Sequence, residues 1–149
     1  DWRMLDAAQA CDWMSQFTLS VPMSGRTLAD LDATYEHFYV EQDAAGAFTP
    51  FDWSIDQASN TISITATQNL ARLTVDSLSA GITAVTPLTL HTSSADGTGD
   101  DVVITRWTSL PTAVVRDGQA IQNWLYDSLT RRLTLHGADG APHVWTITP

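Results

Sequence analysis

The sequence predicts a mainly β protein, with two antiparallel sheets packed face to face as a sandwich and one α-helix in front of them. Three observations predict it. From Phe17 onward, short runs rich in threonine, valine, isoleucine and aromatic residues follow one another, as the pleated surfaces of sandwiches and barrels favour. Glycine, proline, asparagine and aspartate mark the joints between them, at "VPMSG", "DAAGA", "SAGIT", "SADGTGDD", "RDGQ" and "HGADGAP". Finally, one strand–turn–strand pattern occurs twice. "WSIDQASNTISI" (53–64) and "WLYDSLTRRLTL" (124–135) align with a constant spacing of 71 residues (53 to 124, 64 to 135), placing Trp53 on Trp124, Asp56 on Asp127 and Asn60 on Arg131.

The first predicted element is the helix, over residues 1–16. "DWRMLDAAQACDWMSQ" lacks proline and glycine, is rich in good helix formers and can be capped by Asp1. Trp2, Leu5 and Trp13 fall along one face, and Met4, Ala7, Ala8, Cys11 and Met14 along the opposite one. One sheet contact uses only one such stripe, so the other is expected to meet an upstream domain or another chain. Residues 17–149 form the predicted sandwich domain. Read as one strand, "TYEHFYV" turns Phe38 and Val40 to the core and Tyr35, His37 and Tyr39 outward. In "DVVITRW", Val102, Ile104 and Arg106 alternate against Val103, Thr105 and Trp107, which leaves Trp107 at a strand end with polar neighbours. In each repeated hairpin the alternation makes the tryptophan a core anchor, and the aspartate is a turn former that accepts a backbone N–H two residues on.

With 149 residues the chain is one domain by size, large enough to bury a core without disulfides, and its single cysteine, Cys11, permits no internal bridge. Its net charge is −10, and its seven basic residues are all arginine. Such a balance opposes nucleic-acid binding, which needs a basic face to displace counterions from phosphates. No apolar run approaches the roughly 20 residues of a membrane-spanning helix, and no membrane partner is expected.

Patterns that carry chemistry fare poorly. In "SADGTGDDVV", Asp96, Asp100 and Asp101 suggest a calcium loop. Counted from Asp96, however, the sixth and twelfth positions hold Asp101 and Trp107, where an EF-hand places glycine and glutamate. His37, His91, His136 and His143 lack the short paired spacings of zinc sites. No catalytic residue, metal site or cofactor is expected of this chain.

A resemblance gives these elements a context. "NTISITATQNLARLTVD", "DVVITRW", "PTAVVRDG", "WLYDSLTRRLTLHG" and "HVWTITP" resemble the immunoglobulin-like or fibronectin-like sandwiches appended to bacterial secreted hydrolases. The opening "AAQACDWM" resembles the last helix of an α/β-hydrolase domain of esterase or peptidase type. The G-x-S-x-G elbow of those hydrolases is absent, so the resemblance implies a noncatalytic C-terminal accessory domain, extracellular or periplasmic, with any catalytic part upstream of Asp1. The first alternative is an independent module for an insoluble polysaccharide or polyester, with Tyr35, Tyr39 and Trp107 as its binding platform; the second is a small standalone enzyme, for which the sequence supplies no ordered constellation.

Overall fold

Alternation along the chain sets the strands, and the turns between them set which face each one shows. The structure, a computed structural model, describes residues 22–137 and 139–149; the helix predicted over 1–16 lies outside the described residues. In chain order the elements are β1 (Ser24–Ala29), β2 (Ala33–Tyr35), β3 (Phe38–Gln42), β4 (Thr49–Asp56), β5 (Thr61–Thr67) and β6 (Leu70–Asp76). A single-turn helix, α1 (Ser77–Ala80), then leads to β7 (Leu88–Ser94), β8 (Asp101–Thr105), β9 (Ala113–Arg116) and β10 (Gln119–Ala120). The chain closes with β11 (Trp124–Asp127), β12 (Arg132–Leu135) and β13 (His143–Thr148). Asp76 caps α1 by accepting the Leu78 N–H at 3.0 Å, and Gly81, at φ 67°, ends it in the left-handed conformation that favours glycine.

The strands form a seven-stranded sheet, β1-β4-β5-β7-β13-β9-β10, and a six-stranded sheet, β11-β12-β8-β6-β3-β2. One apolar core lies between them. Phe51, Trp53, Ile62, Ile64, Leu88, Leu90 and Ile147 enter it from the first sheet, and Phe38, Val40, Leu73, Val75, Ile104 and Leu133 from the second. The mainly β, two-sheet, sandwich-like fold agrees with the sequence reading. The expectation of purely antiparallel sheets needs correction, because β5 pairs with β7 and β6 with β8 in parallel. The reason is connectivity: β5, β6, β7 and β8 alternate between the two sheets, so β7 returns beside β5 and β8 beside β6 in the same direction.

Both repeated hairpins form in the predicted register, and Trp53 is the expected core anchor, whereas Trp124 is only half-buried because β11 is an edge strand. Trp53 pairs with Ile64 and Ile55 with Ile62; 71 residues later Trp124 pairs with Leu135 and Tyr126 with Leu133. The turns match atom for atom. Asp56 Oδ1 accepts the N–H groups of Ala58 (3.0 Å) and Ser59 (3.4 Å), and its Oδ2 accepts the Ser59 hydroxyl at 2.7 Å. Asp127 does the same with Leu129 (2.9 Å), Thr130 (3.4 Å) and the Thr130 hydroxyl (2.6 Å). These bonds hold both carboxyls below the usual carboxylate range, led in each case by the hydroxyl. Each turn ends in a left-handed residue, Asn60 at φ 51° and Arg131 at φ 53°.

Candidate functional site

The outer face of the six-stranded sheet presents a surface built by strand register. Cross-strand pairing brings Leu125, Thr134, Val103, Thr74, Tyr39 and Thr34 into one row. Side chains that share a row stand on one face of a sheet. Beside it runs a charged row. Arg72 Nη1 donates to Glu41 Oε2 at 3.2 Å, Arg72 Nη2 lies 3.8 Å from Asp101 Oδ2, and His136 Nδ1 lies 3.1 Å from the same oxygen. Two shallow grooves cross the face: one of about 410 Å³ beside Leu125, Val103 and Thr134, and one of about 290 Å³ beside Tyr39, Thr34 and Thr74. Leu125 and Tyr39 stand exposed on the row, 62% and 42% accessible.

Of the three residues predicted as a platform, the structure leaves only Tyr39 on this face. "TYEHFYV" is two strands joined by a tight turn at Glu36 and His37, with Glu36 at φ 52°. Tyr35 pairs with Phe38 and so shares its core-facing side, where it packs half-buried against the core. Its hydroxyl donates to Asp30 Oδ1 at 2.8 Å. His37, expected to face outward, is buried, with Nε2 3.0 Å from the Pro22 carbonyl and its ring edge-on to Trp53. Trp107 is the larger correction, because it is fully buried and unavailable as an exposed surface. The left-handed Arg106 (φ 59°) interrupts the alternation of β8 and throws the next side chain inward. Backbone bonds hold Trp107 there: its N–H donates to the Arg131 carbonyl at 3.0 Å, and the Tyr126 hydroxyl donates to the Trp107 carbonyl at 3.0 Å.

The acidic loop has a structural use. Asp96 accepts the Asn69 N–H at 2.8 Å, the Thr98 N–H at 3.0 Å and the Ser94 and Thr98 hydroxyls. Slight burial works against its charge, but those bonds outweigh it and hold the carboxyl well below the usual range. Gly97 and Gly140 approach backbone to backbone, so a Cβ on Gly140 would stand 2.6 Å from the Gly97 Cα. Gly140 bonds both Ser94 and Gly97 through its peptide groups. Among the described residues, no group of three or more histidine, cysteine, aspartate or glutamate side chains is placed to hold a metal ion.

Two titratable residues at that loop, Asp100 and His143, sit in surroundings that their sequence context does not foretell. Asp100 is half-buried, with its Oδ2 accepting from the Thr67 hydroxyl and its Oδ1 enclosed without a partner among the described residues. Burial, helped by the neighbouring carboxylates of Asp96, Asp43 and Asp101, pushes its pKa up to about 6. His143 lies between two carboxylates from different loops, with Nδ1 2.5 Å from Asp117 Oδ2 and Nε2 2.9 Å from Asp139 Oδ1. Asp117 first, then Asp139, raises its pKa. A charged imidazole can donate to both oxygens, and with both nitrogens engaged it presents no lone pair as a general base. The pairing joins residues 26 and four positions apart, and neither the spacing nor the residue types mark it in the sequence.

Compared with known protein families, with curated proteins and with solved structures, the chain shows no match.

Proposed function

We propose that this chain is a noncatalytic β-sandwich accessory domain that works by contact, with the outer face of its six-stranded sheet as the contact surface. The observation that supports the reading is the row from Leu125 to Thr34, where two exposed apolar side chains stand at either side of a threonine and valine stretch, bordered by ion pairs. Aromatic and aliphatic side chains within a polar rim are the composition of a protein–protein contact. The resemblance described above supplies the rest: an immunoglobulin-like module at the C-terminal end of a secreted bacterial hydrolase of esterase or peptidase type, docked on its catalytic part or helping substrate approach. Tyr39 alone is a narrow base for stacking on a polymer, since Tyr35 and Trp107 are turned into the protein. Docking is therefore favoured over the polymer-binding alternative.

Pull-down on insoluble polysaccharides and polyesters separates the two, using the chain and its Tyr39→Ala, Leu125→Ser double variant. Docking predicts no retention of either protein. It further predicts that covalent footprinting of Tyr39 falls in a parent protein carrying the catalytic part. Retention of the unaltered chain that the double variant loses would replace docking with polymer binding. Unchanged labelling of Tyr39 in the parent would remove the docking face.

A further inference from the structure

We propose that the groove between α1 and the β11–β12 turn binds a carboxylate carried on a short apolar stem. The groove encloses about 310 Å³, at the small end of the range for ligand sites. Arg106, Arg131 and Thr108 line it, together with the apolar Leu78, Ile82 and Ala84. Cations with a hydrophobic wall beside them match a ligand that is anionic at one end and apolar at the other.

The repeated hairpin identifies the missing partner. In the first copy, the residue closing the turn is Asn60, whose Nδ2 donates to the carbonyls of Thr83 (3.0 Å), Thr86 (3.2 Å) and Pro87 (3.1 Å). Its Oδ1 accepts the Thr83 N–H at 3.0 Å. The donors at that turn are thus met by a loop rich in acceptors. At the same place in the second copy, Arg131 brings the five donors of a guanidinium. Its side chain makes no ion pair or hydrogen bond with another protein group among the described residues, and it borders the open groove. An acceptor-rich ligand completes the second turn as the Thr83–Pro87 loop completes the first.

The charge count favours a monoanion. Arg106 Nη2 is 3.4 Å from Asp76 Oδ2, so one of the two guanidiniums already has a counter-charge, leaving about one unit for the ligand. A chain of net charge −10 repels anions at long range, and recognition must come from short-range, forked hydrogen bonding, which guanidinium and carboxylate geometries share. Arg106 and Arg131 both occupy the left-handed region, where asparagine sits readily and a longer side chain is disfavoured.

The test is titration of the ¹⁵N-labelled chain, followed by its amide spectrum. Hexanoate, its neutral isostere hexanamide, and a short peptide ending in leucine with a free or an amidated C-terminus serve as probes. Hexanoate or the free peptide should shift Ile82, Ala84, Thr108 and Arg131, and whichever binds more tightly identifies the source of the carboxylate as a free acid or a peptide end. Hexanamide and the amidated peptide should leave those signals in place. Arg131→Gln should weaken the response about tenfold or more. Arg131→Asn, which suits the left-handed backbone, should retain the fold and lose binding. Equal shifts from the neutral probes, shifts confined to other residues, no shift from either carboxylate, or unaltered affinity in a folded Arg131→Asn variant would overturn the proposal.

Discussion

The hairpins β4–β5 and β11–β12 have the same register and the same aspartate-bonded turn, yet they stand in different surroundings. In the first, β4 and β5 lie inside the seven-stranded sheet, paired on both sides, and Trp53 is buried with its Nε1 donating to Thr27 Oγ1 at 3.1 Å. In the second, β11 is an edge strand, and Trp124 is half-buried against the rim of the core, its Nε1 donating to the Ile121 carbonyl at 3.1 Å. The correspondence continues past the hairpins. At the same spacing of 71 residues, Arg72 of β6 corresponds to His143 of β13, and each is a basic side chain between two carboxylates: Glu41 and Asp101 for the arginine, Asp117 and Asp139 for the histidine. Identical local grammar thus yields a structural hairpin where every partner is protein and an open one where a turn residue faces a groove. Neighbours, not the turn itself, decide which.

The widest separation between the two should come from their tryptophans. Trp53→Ala should cost about 3–5 kcal/mol, as truncation of a buried aromatic does, whereas Trp124→Ala should cost about 1–2 kcal/mol, in keeping with partial burial. Urea denaturation measures both, and equal losses would show that the edge hairpin is as integrated as the inner one. Next in size is Asn60→Ala, which strands three carbonyls and the Thr83 N–H and should cost about 1–3 kcal/mol. A smaller effect of opposite sign is expected at the equivalent position. Arg131→Asn should gain about 0.5 kcal/mol by easing the left-handed backbone, and a loss would mean that the arginine supports the fold directly.

The last comparison is through pH. Asp100, next to Thr67 at the end of β5, has its folded pKa raised from 3.8 to about 6 by burial. Its neutral form is the stabilised one, so that contribution is present below pH 3.8 and declines as pH rises to about 6. His143 is raised above 6.5, so its contribution is full below that value and is lost as pH climbs through the raised pKa. Arg72 keeps its charge throughout. Melting temperatures between pH 4 and 9 should therefore carry two declining contributions. Asp100→Asn should remove the lower one and His143→Asn the upper one, with Arg116, which faces both aspartates of the His143 cluster, left in place. Below pH 4 the opposite slope should appear, since Asp117, Asp127 and Asp139 have lowered pKa values and lose their bonds on protonation.

The hairpins were legible because their information is local: an aspartate, two N–H groups and an alternating pattern on either side fix the turn and the face. The inward faces of Phe38 and Val40 were legible for the same reason. What sequence could not reveal lies where ordinary residues adopt the left-handed backbone. Glu36 and Arg106 carry no glycine or asparagine signal, yet each breaks the alternation assumed across it: the turn at Glu36 makes two strands of one, with Tyr35 opposite Phe38 and His37 in the bend, and Arg106 turns Trp107 inward. The parallel pairs were hidden because alternation specifies a face and not the direction of a neighbour. Of the candidate contact face, Tyr39 was visible, while its row-mates depend on register across five strand pairs. The groove arginines stood in plain view, but a guanidinium beside an open space looks the same in sequence as one waving in solvent.

The alternation of β5, β6, β7 and β8 between sheets bears on how the chain reaches this shape. Neither sheet can assemble its middle from hairpins alone, because β5 must wait for β7 and β6 for β8, and each of these strands is separated from its parallel neighbour by one committed to the opposite sheet. Loop closure has to be completed across both layers before either is rewarded, so refolding should be slow for a domain of this size, on the scale of milliseconds to seconds. The same interlocking ties the layers into one cooperative unit, in which unravelling of one sheet removes the strands that hold the other in register.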